Sequence, residues 1–202
     1  MTRAARVAVR RALAAPALVA AALLAVAPAL FGPAAALASR PAARAPHCAY
    51  ANLRPTPTNA ARVDSSTLCL LNQLRAAHHL RPLRSNRELR AVAAAQATGM
   101  VRHDYFGDTT PSGQTPGALI AALPYGAHAA RLATGENLAW GIRSASTPAN
   151  IVAAWMRSPP HRELILAGMY RNAGVGVSPA VPSILAHGQK GATYAVEFAA
   201  RG

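Results

Sequence analysis

Three stretches of the chain collect the side chains that can do chemistry. The first is His103-Asp104-Tyr105-Phe106-Gly107-Asp108-Thr109-Thr110-Pro111-Ser112-Gly113. Gly135-Glu136-Asn137-Leu138-Ala139-Trp140-Gly141 follows, and then Trp155-Met156-Arg157-Ser158-Pro159-Pro160-His161-Arg162. All three read as irregular segments between helices, where binding and catalytic groups concentrate. Asp108, Glu136 and His161 are side chains of the types that ligate metal ions. One imidazole with two carboxylates binds zinc, but shifts the preference toward harder ions such as Mn²⁺, Mg²⁺ or Ca²⁺. His103, just upstream of Asp108, is a further candidate for the same cleft and alternatively only a helix end. Glu136 and His161 also carry plainer readings. A glutamate between glycine and asparagine accepts backbone N–H groups in a tight turn, and a histidine after prolines caps a helix. Tyr105, Phe106, Trp140 and Trp155 read as core or cleft wall.

The motifs of common hydrolases are missing. There is no Gly-x-Ser-x-Gly elbow and no His-Glu-x-x-His helix. The catalytic set is therefore empty, and a binding module is favoured over an enzyme. The enzymatic alternative is a metal-dependent hydrolase in which an ion activates water and Glu136 acts as base.

Helices must position these segments. Asp64 is a plausible N-cap for a helix to about His79, with Leu68, Leu71 and Leu74 on one face. Ser85-Asn86-Arg87-Glu88 reads as a capping box for a second helix, with Leu89, Ala93, Gln96 and Met100 along one stripe and an end near Arg102. Thr115-Pro116 and Thr147-Pro148 each place a cap residue before a proline at the first helical position. Ser158-Pro159-Pro160 should stop the last of these, with a short helical turn resuming through Leu164 to Leu166. After Tyr170 the period becomes two: Gly174-Val175-Gly176-Val177 and Tyr194-Ala195-Val196-Glu197-Phe198 read as strands that pair as a hairpin. Helices with late strands give an α+β or layered fold.

Residues 1–38 read as an export signal. Arg3, Arg6, Arg10 and Arg11 precede an apolar run to about Leu30, and Ala36-Leu37-Ala38 supplies the small residues of a cleavage site. Prolines 16, 28 and 33 weaken the alternative of a membrane anchor. No later segment is long and apolar enough to span a bilayer. Cleavage leaves about 160 residues, an ordinary size for one domain. A Pro-, Ala- and Thr-rich arm occupies 39–62 and the domain 63–202, read as a secreted monomer. Cys48 and Cys69, the two cysteines, are expected to pair in an exported protein. Closing a loop of about 20 residues contributes ~3 kcal/mol in the chain-entropy model.

The net charge is +14, yet Lys190 is the only lysine and the arginines are scattered. With aromatics at 5% and no basic run among them, nucleic-acid binding is not expected. Association with anionic envelope polymers through charge alone stays open as a third function.

Taken in order, these segments resemble the CAP superfamily (cysteine-rich secretory, antigen 5 and pathogenesis-related proteins) in its bacterial form, over roughly residues 63–202. Leu71-Asn72-Gln73-Leu74-Arg75 before Pro82-Leu83 resembles the family's opening helix. Gly135-Glu136-Asn137 is similar to its best-known box, the Trp155 to Arg162 segment to its second histidine element, and the two late strands to its closing strands. The resemblance implies a three-layer α-β-α sandwich with helices around a small antiparallel sheet. It also implies a cleft of two histidines and one or two glutamates, which holds zinc or another divalent ion in some members. Glu136 and His161 match a glutamate and the second histidine. Asp108 stands where the bacterial pattern has its first histidine, which disfavours zinc, and the extra glutamate has no counterpart. Sterol- and lipid-binding members imply a lipid or cell-envelope ligand in the cleft around Glu136 and His161.

Overall fold

The structure is a computed structural model, and it describes residues 47–202. The expected export signal and the first part of the arm lie outside the described residues.

Helix α1 (Ala60–Ala77) starts inside the stretch expected to be irregular, so Asp64 is a helical residue and not the N-cap. Asn59 holds the cap position. Its side chain braces the preceding loop instead of the helix amides, accepting from the Thr56 N–H at 2.8 Å and donating to the Arg54 carbonyl at 3.0 Å. The arm is ordered by more than the expected Cys48–Cys69 disulfide, which is present with its Cα atoms 5.7 Å apart. Leu53 packs against the main core and the Ala149 N–H donates to the Ala51 carbonyl.

Strand β1 (Arg84–Ser85) leads into α2 (Arg87–Arg102). The capping box shifts by one residue, because Ser85 is committed to the sheet opposite Ala173. Asn86 caps the helix, accepting from the Glu88 and Leu89 amides, and the Glu88 carboxylate accepts the Tyr125 N–H at 2.8 Å. The predicted stripe of Leu89, Ala93, Gln96 and Met100 is the buried face. Thr115 and Thr147 precede α3 (Pro116–Ala122) and α5 (Pro148–Arg157), each with proline in the first turn. Between them lie α4 (Pro124–Ala127) and β2 (Leu132–Ile142). The Gly135-Glu136-Asn137 box therefore sits in a strand and not in an irregular loop. The double proline bends the chain without ending helical structure: α6 (Pro159–Leu166) begins at once, since proline suits the first turn. Strand β3 (Asn172–Ser178), α7 (Ser183–Ala186) and β4 (Gly191–Arg201) complete the chain.

The four strands run in the order β1-β3-β4-β2. The expected hairpin forms, with Val175 opposite Val196, and β2 joins the other side of β4 in antiparallel register. The short β1–β3 contact is parallel, so the sheet is mixed where an antiparallel one was expected. Helices cover both faces, giving the α-β-α layering. On one face Leu71 of α1, Trp155 of α5 and Ile165 of α6 pack against Tyr194, Val196 and Phe198. On the other, Ala93, Ala97 and Met100 of α2 pack against Leu138 and Ala195. Gly174 and Gly176 let α2 lie directly on β3: an added Cβ would come within 2.1 Å and 2.2 Å of its backbone.

The Leu-Asn-x-x-Arg pattern is architectural. Asn72 forms a reciprocal pair with the backbone of Leu83, donating to its carbonyl at 3.0 Å and accepting its N–H at 2.7 Å. The fully buried Arg75 guanidinium donates to the carbonyls of Arg81, Ile165, Ala167 and Tyr170. It thus fixes the end of α1 to the α6–β3 turn. Among the described residues no helix is long and apolar enough to cross a membrane.

Candidate functional site

Strand alternation sorts the box on β2. Successive side chains point to opposite faces, so Glu136 and Leu138 look toward α2 while Asn137 looks toward α5 and α6. The Asn137 side-chain amide donates to the His161 carbonyl at 3.1 Å, and the Trp155 indole N–H donates to the Leu138 carbonyl at 2.9 Å. Gly135 makes room for Tyr170, whose hydroxyl would lie 2.5 Å from an added Cβ and donates to the Thr134 carbonyl at 3.1 Å. Glycine and asparagine thus serve packing, and only the glutamate is turned toward the α2 side.

Glu136 faces Glu197 of β4 directly in the cross-strand register. Glu197 is 1% exposed, because β4 is central and covered by helices on both sides. Neither oxygen of Glu136, nor Oε1 of Glu197, receives a hydrogen bond from an N–H or hydroxyl donor. Two carboxylates in such surroundings cannot both be charged. Burial pushes the Glu136 carboxyl far above its ordinary value, and the Glu197 charge, the hydrogen bond between the two carboxyls and the Asp108 charge push it further. Burial raises Glu197 as well, partly offset by that hydrogen bond. The pair therefore titrates as a unit and keeps a proton at neutral pH, shared between the two carboxyls.

Asp108 is exposed at the edge of this pair, and its negative charge acts on both glutamates. Its segment is pinned to α2, since the Gln96 side-chain amide donates to the Gly107 carbonyl at 2.9 Å. His103 caps the end of α2 through its backbone N–H and is exposed. It lines a groove of about 530 Å³ between α2, the 105–114 segment and α3, with Val92, Gln96, Tyr105 and Leu119. None of the three carboxyls lines that groove.

His161 belongs elsewhere. It rides on α6 behind Asn137, across the sheet from Glu136, and its Nδ1 lies 2.7 Å from the Ser158 hydroxyl. The Ser158–His161 pair is a local brace at the start of α6. Pro159 and Pro160 remove two backbone donors from that helix start, so it offers no oxyanion cradle there. Asp108, Glu136 and His161 do not assemble as a ligand set. Among the described residues, no three His, Cys, Asp or Glu side chains gather in a group that could hold a metal ion. The sequence reading gave Glu197 only as a member of an alternating strand and not as a site residue. The expected helices on both sides of the sheet were the available signal that it is buried.

Comparison with known proteins agrees with this architecture. The family model described as the cysteine-rich secretory protein family, CAP, matches residues 68–181. The uncharacterized protein YkwD of Bacillus subtilis (strain 168) is 29% identical over 120 residues, which is 59% of this chain and 44% of YkwD. This chain therefore spans less than half the length of that relative. Among solved structures, an extracellular protein with an SCP domain from Bacillus anthracis superposes with a TM-score of 0.54 at 21% identity, covering 71% of this chain and 43% of that one. An outer surface protein of Borrelia burgdorferi gives a TM-score of 0.53 at 22% identity, over 67% of this chain and 90% of that one. With the family model covering more than half of the sequence, the chain belongs to the cysteine-rich secretory protein, or CAP, family.

Proposed function

We propose that this CAP domain is an exported, non-catalytic module that holds a lipid or other cell-envelope ligand in the groove between α2 and the 105–114 segment. The carrying observation is the separation of open volume from reactive groups. The groove of about 530 Å³ is lined by Val92, Tyr105 and Leu119 together with the polar Gln96, Arg102 and His103 and several hydroxyl side chains, while neither Glu136 nor Glu197 lines it. Ligand sites of about 300–1,000 Å³ with apolar walls and a few polar groups are typical of small-molecule binding. A glutamate that keeps its proton at neutral pH is a poor general base, which favours binding over hydrolysis. The Cys48–Cys69 disulfide and the export signal read at residues 1–38 support an extracellular setting, as does the extracellular relative from Bacillus anthracis. This reading keeps the expected ligand class and assigns it to the α2 groove instead of a cleft shared by Glu136 and His161.

The test compares wild type with Ala95→Trp, which fills the groove from the exposed side of α2. Immobilised protein is exposed to envelope lipid extract and to cell-wall fragments, and retained material is identified by mass spectrometry. Retention by wild type that is lost in Ala95→Trp supports the reading. Equal retention by the variant, or none above a control protein of matched charge, sinks it.

A further inference from the structure

A second hollow lies away from the carboxyl pair, where three separate segments meet. It encloses about 630 Å³ between residues 54–57 of the arm, the 3-10 turn Arg143–Ser146 after β2, and the 179–191 stretch that carries α7. Arg54, Arg143 and Lys190 line it, one from each segment, and no carboxylate does. Pro55, Pro57, Pro179 and Val181 give it apolar walls. The scattered arginines of the sequence thus acquire a local focus that linear spacing did not show.

The hollow is built on fixed backbone. The Arg143 N–H donates to the Lys190 carbonyl at 2.9 Å, extending the β2–β4 ladder by one step beyond the Ile142–Gly191 pair. The Ser146 hydroxyl donates to the Arg143 carbonyl at 2.6 Å, and the buried Tyr194 hydroxyl donates to the Ser146 carbonyl at 2.7 Å. Thr193 donates to the Ala180 carbonyl at 2.8 Å, holding the opposite wall. Arg143 itself has φ +51, in the left-handed region that glycine favours, and these contacts keep it there.

We propose that this hollow binds a phosphate ester of a polyol or sugar. Three cations without a carboxylate among them select a multiply charged anion, and guanidinium groups match phosphate oxygens in a bidentate manner. The volume exceeds what a bare phosphate fills, and the proline and valine surfaces suit the C–H faces of an attached polyol or sugar. Such groups occur both in phosphodiester polymers of cell envelopes and in anionic lipid headgroups. Nucleic acid is disfavoured, since no aromatic side chain lines the hollow for base stacking.

Lys190, the only lysine, makes the site directly readable. The protein is treated with an acetylating reagent at fixed ionic strength, and Lys190 modification is followed by peptide mass mapping, with the α-amino terminus as internal control. The probes are glycerol 3-phosphate, a soluble polyglycerol phosphate, phosphatidylglycerol vesicles, uncharged glycerol and a single-stranded oligonucleotide. Binding of glycerol 3-phosphate should slow Lys190 acetylation by the factor 1 + [L]/Kd, about tenfold at nine times Kd, while glycerol has no effect. Protection by the polymer or by the vesicles assigns the source of the phosphate ester, and either supports the site. The exposed substitutions Arg54→Gln and Arg143→Gln should weaken protection without lowering the melting temperature. Three results would overturn the proposal: unchanged acetylation with every phosphate probe, protection by the oligonucleotide alone, or protection that survives both substitutions.

Discussion

Glu136 and Glu197 stand directly opposite each other across β2 and β4, buried between the sheet and α2, with no backbone or hydroxyl donor to neutralise either Glu136 oxygen. Two acids so placed are stable only while they share a proton, which makes the domain's stability a function of pH.

The sign follows from the direction of the shifts. Both carboxyls are raised above their ordinary 4.5 in the folded state, so the unfolded chain releases protons that the folded chain keeps. Their contribution is complete below the unfolded value and declines as pH rises through the folded ones. Asp64, half-buried on α1 and pushed to about 7 by desolvation against the opposing pull of Arg90, acts in the same direction. Thermal melts should therefore show a melting temperature that falls between about pH 5 and pH 9. Glu197→Gln keeps a hydrogen-bonding partner for Glu136 while deleting a buried charge. It should reduce that slope and raise stability at the alkaline end by about 1–3 kcal/mol. The slope left by Asp64 and by Glu136, whose raised value comes first from burial, should disappear only when Glu136→Gln and Asp64→Asn are added. A wild-type melting temperature that is flat or rises over this range contradicts the buried, proton-sharing pair.

Gly135 and Tyr170 provide a test of what the glycine in the box is for. An added methyl would lie 2.5 Å from the tyrosine hydroxyl, so Gly135→Ala should destabilise the domain by about 1–3 kcal/mol through overpacking. Tyr170→Phe removes the clashing atom together with its hydrogen bond to Thr134. The double mutant should be more stable than the sum of the single changes predicts, by at least ~0.5 kcal/mol in chemical denaturation. Strict additivity would show that the glycine serves something other than room for Tyr170.

The helices were legible because their signals are local. Proline at the first helical position, the cap at Thr115 and the stripe along α2 are written within one or two turns of sequence, and all appear where expected. The hairpin of β3 and β4 was legible for the same reason. Glu136 was found through the resemblance, but its partner was not, since pairing Glu136 with Glu197 depends on a register set between residues far apart in sequence. Asp64 shows the same limit: a good cap residue is a half-buried helical acid, since the helix begins at Ala60 and Asn59 holds the cap position. His161 lies on α6 with its carbonyl held by Asn137, whose side chain leaves β2 on the face opposite Glu136 because one residue along a strand changes the face.

Arg75 should prove indispensable to the fold although no carboxylate accompanies it. Its buried guanidinium satisfies the carbonyls of Arg81 in the loop after α1, Ile165 in α6, and Ala167 and Tyr170 in the turn before β3. Arg75→Met would leave several buried carbonyls without donors, each costing about 1–3 kcal/mol, so a loss above ~3 kcal/mol is expected. Arg75→Lys should rescue little, because an ammonium lacks the planar fork that reaches all four acceptors. Urea unfolding of both variants reads this, and a lysine variant within ~1 kcal/mol of wild type would refute the geometric argument.

The separation of His161 from the carboxyls gives the sharpest test of the site. If Glu136 and Glu197 share one face with Asp108 beside them, a second nitrogen ligand is better supplied at position 108 than by His161. Asp108→His puts an imidazole where two carboxyls already act on each other, and it removes a like charge from them. Calorimetric zinc titration should find weak or absent binding in wild type and binding at least about tenfold tighter, ~1.4 kcal/mol, in Asp108→His. Adding Glu197→Gln to that variant should abolish the gain, because it removes a ligand from the same face. Adding His161→Ala should leave the zinc affinity within about twofold, less than 0.5 kcal/mol, since His161 spends its Nδ1 on Ser158 behind the sheet. A tenfold loss on adding His161→Ala, or nanomolar zinc binding by wild type, would place His161 in the cleft after all and overturn the division of the sheet's two faces described above.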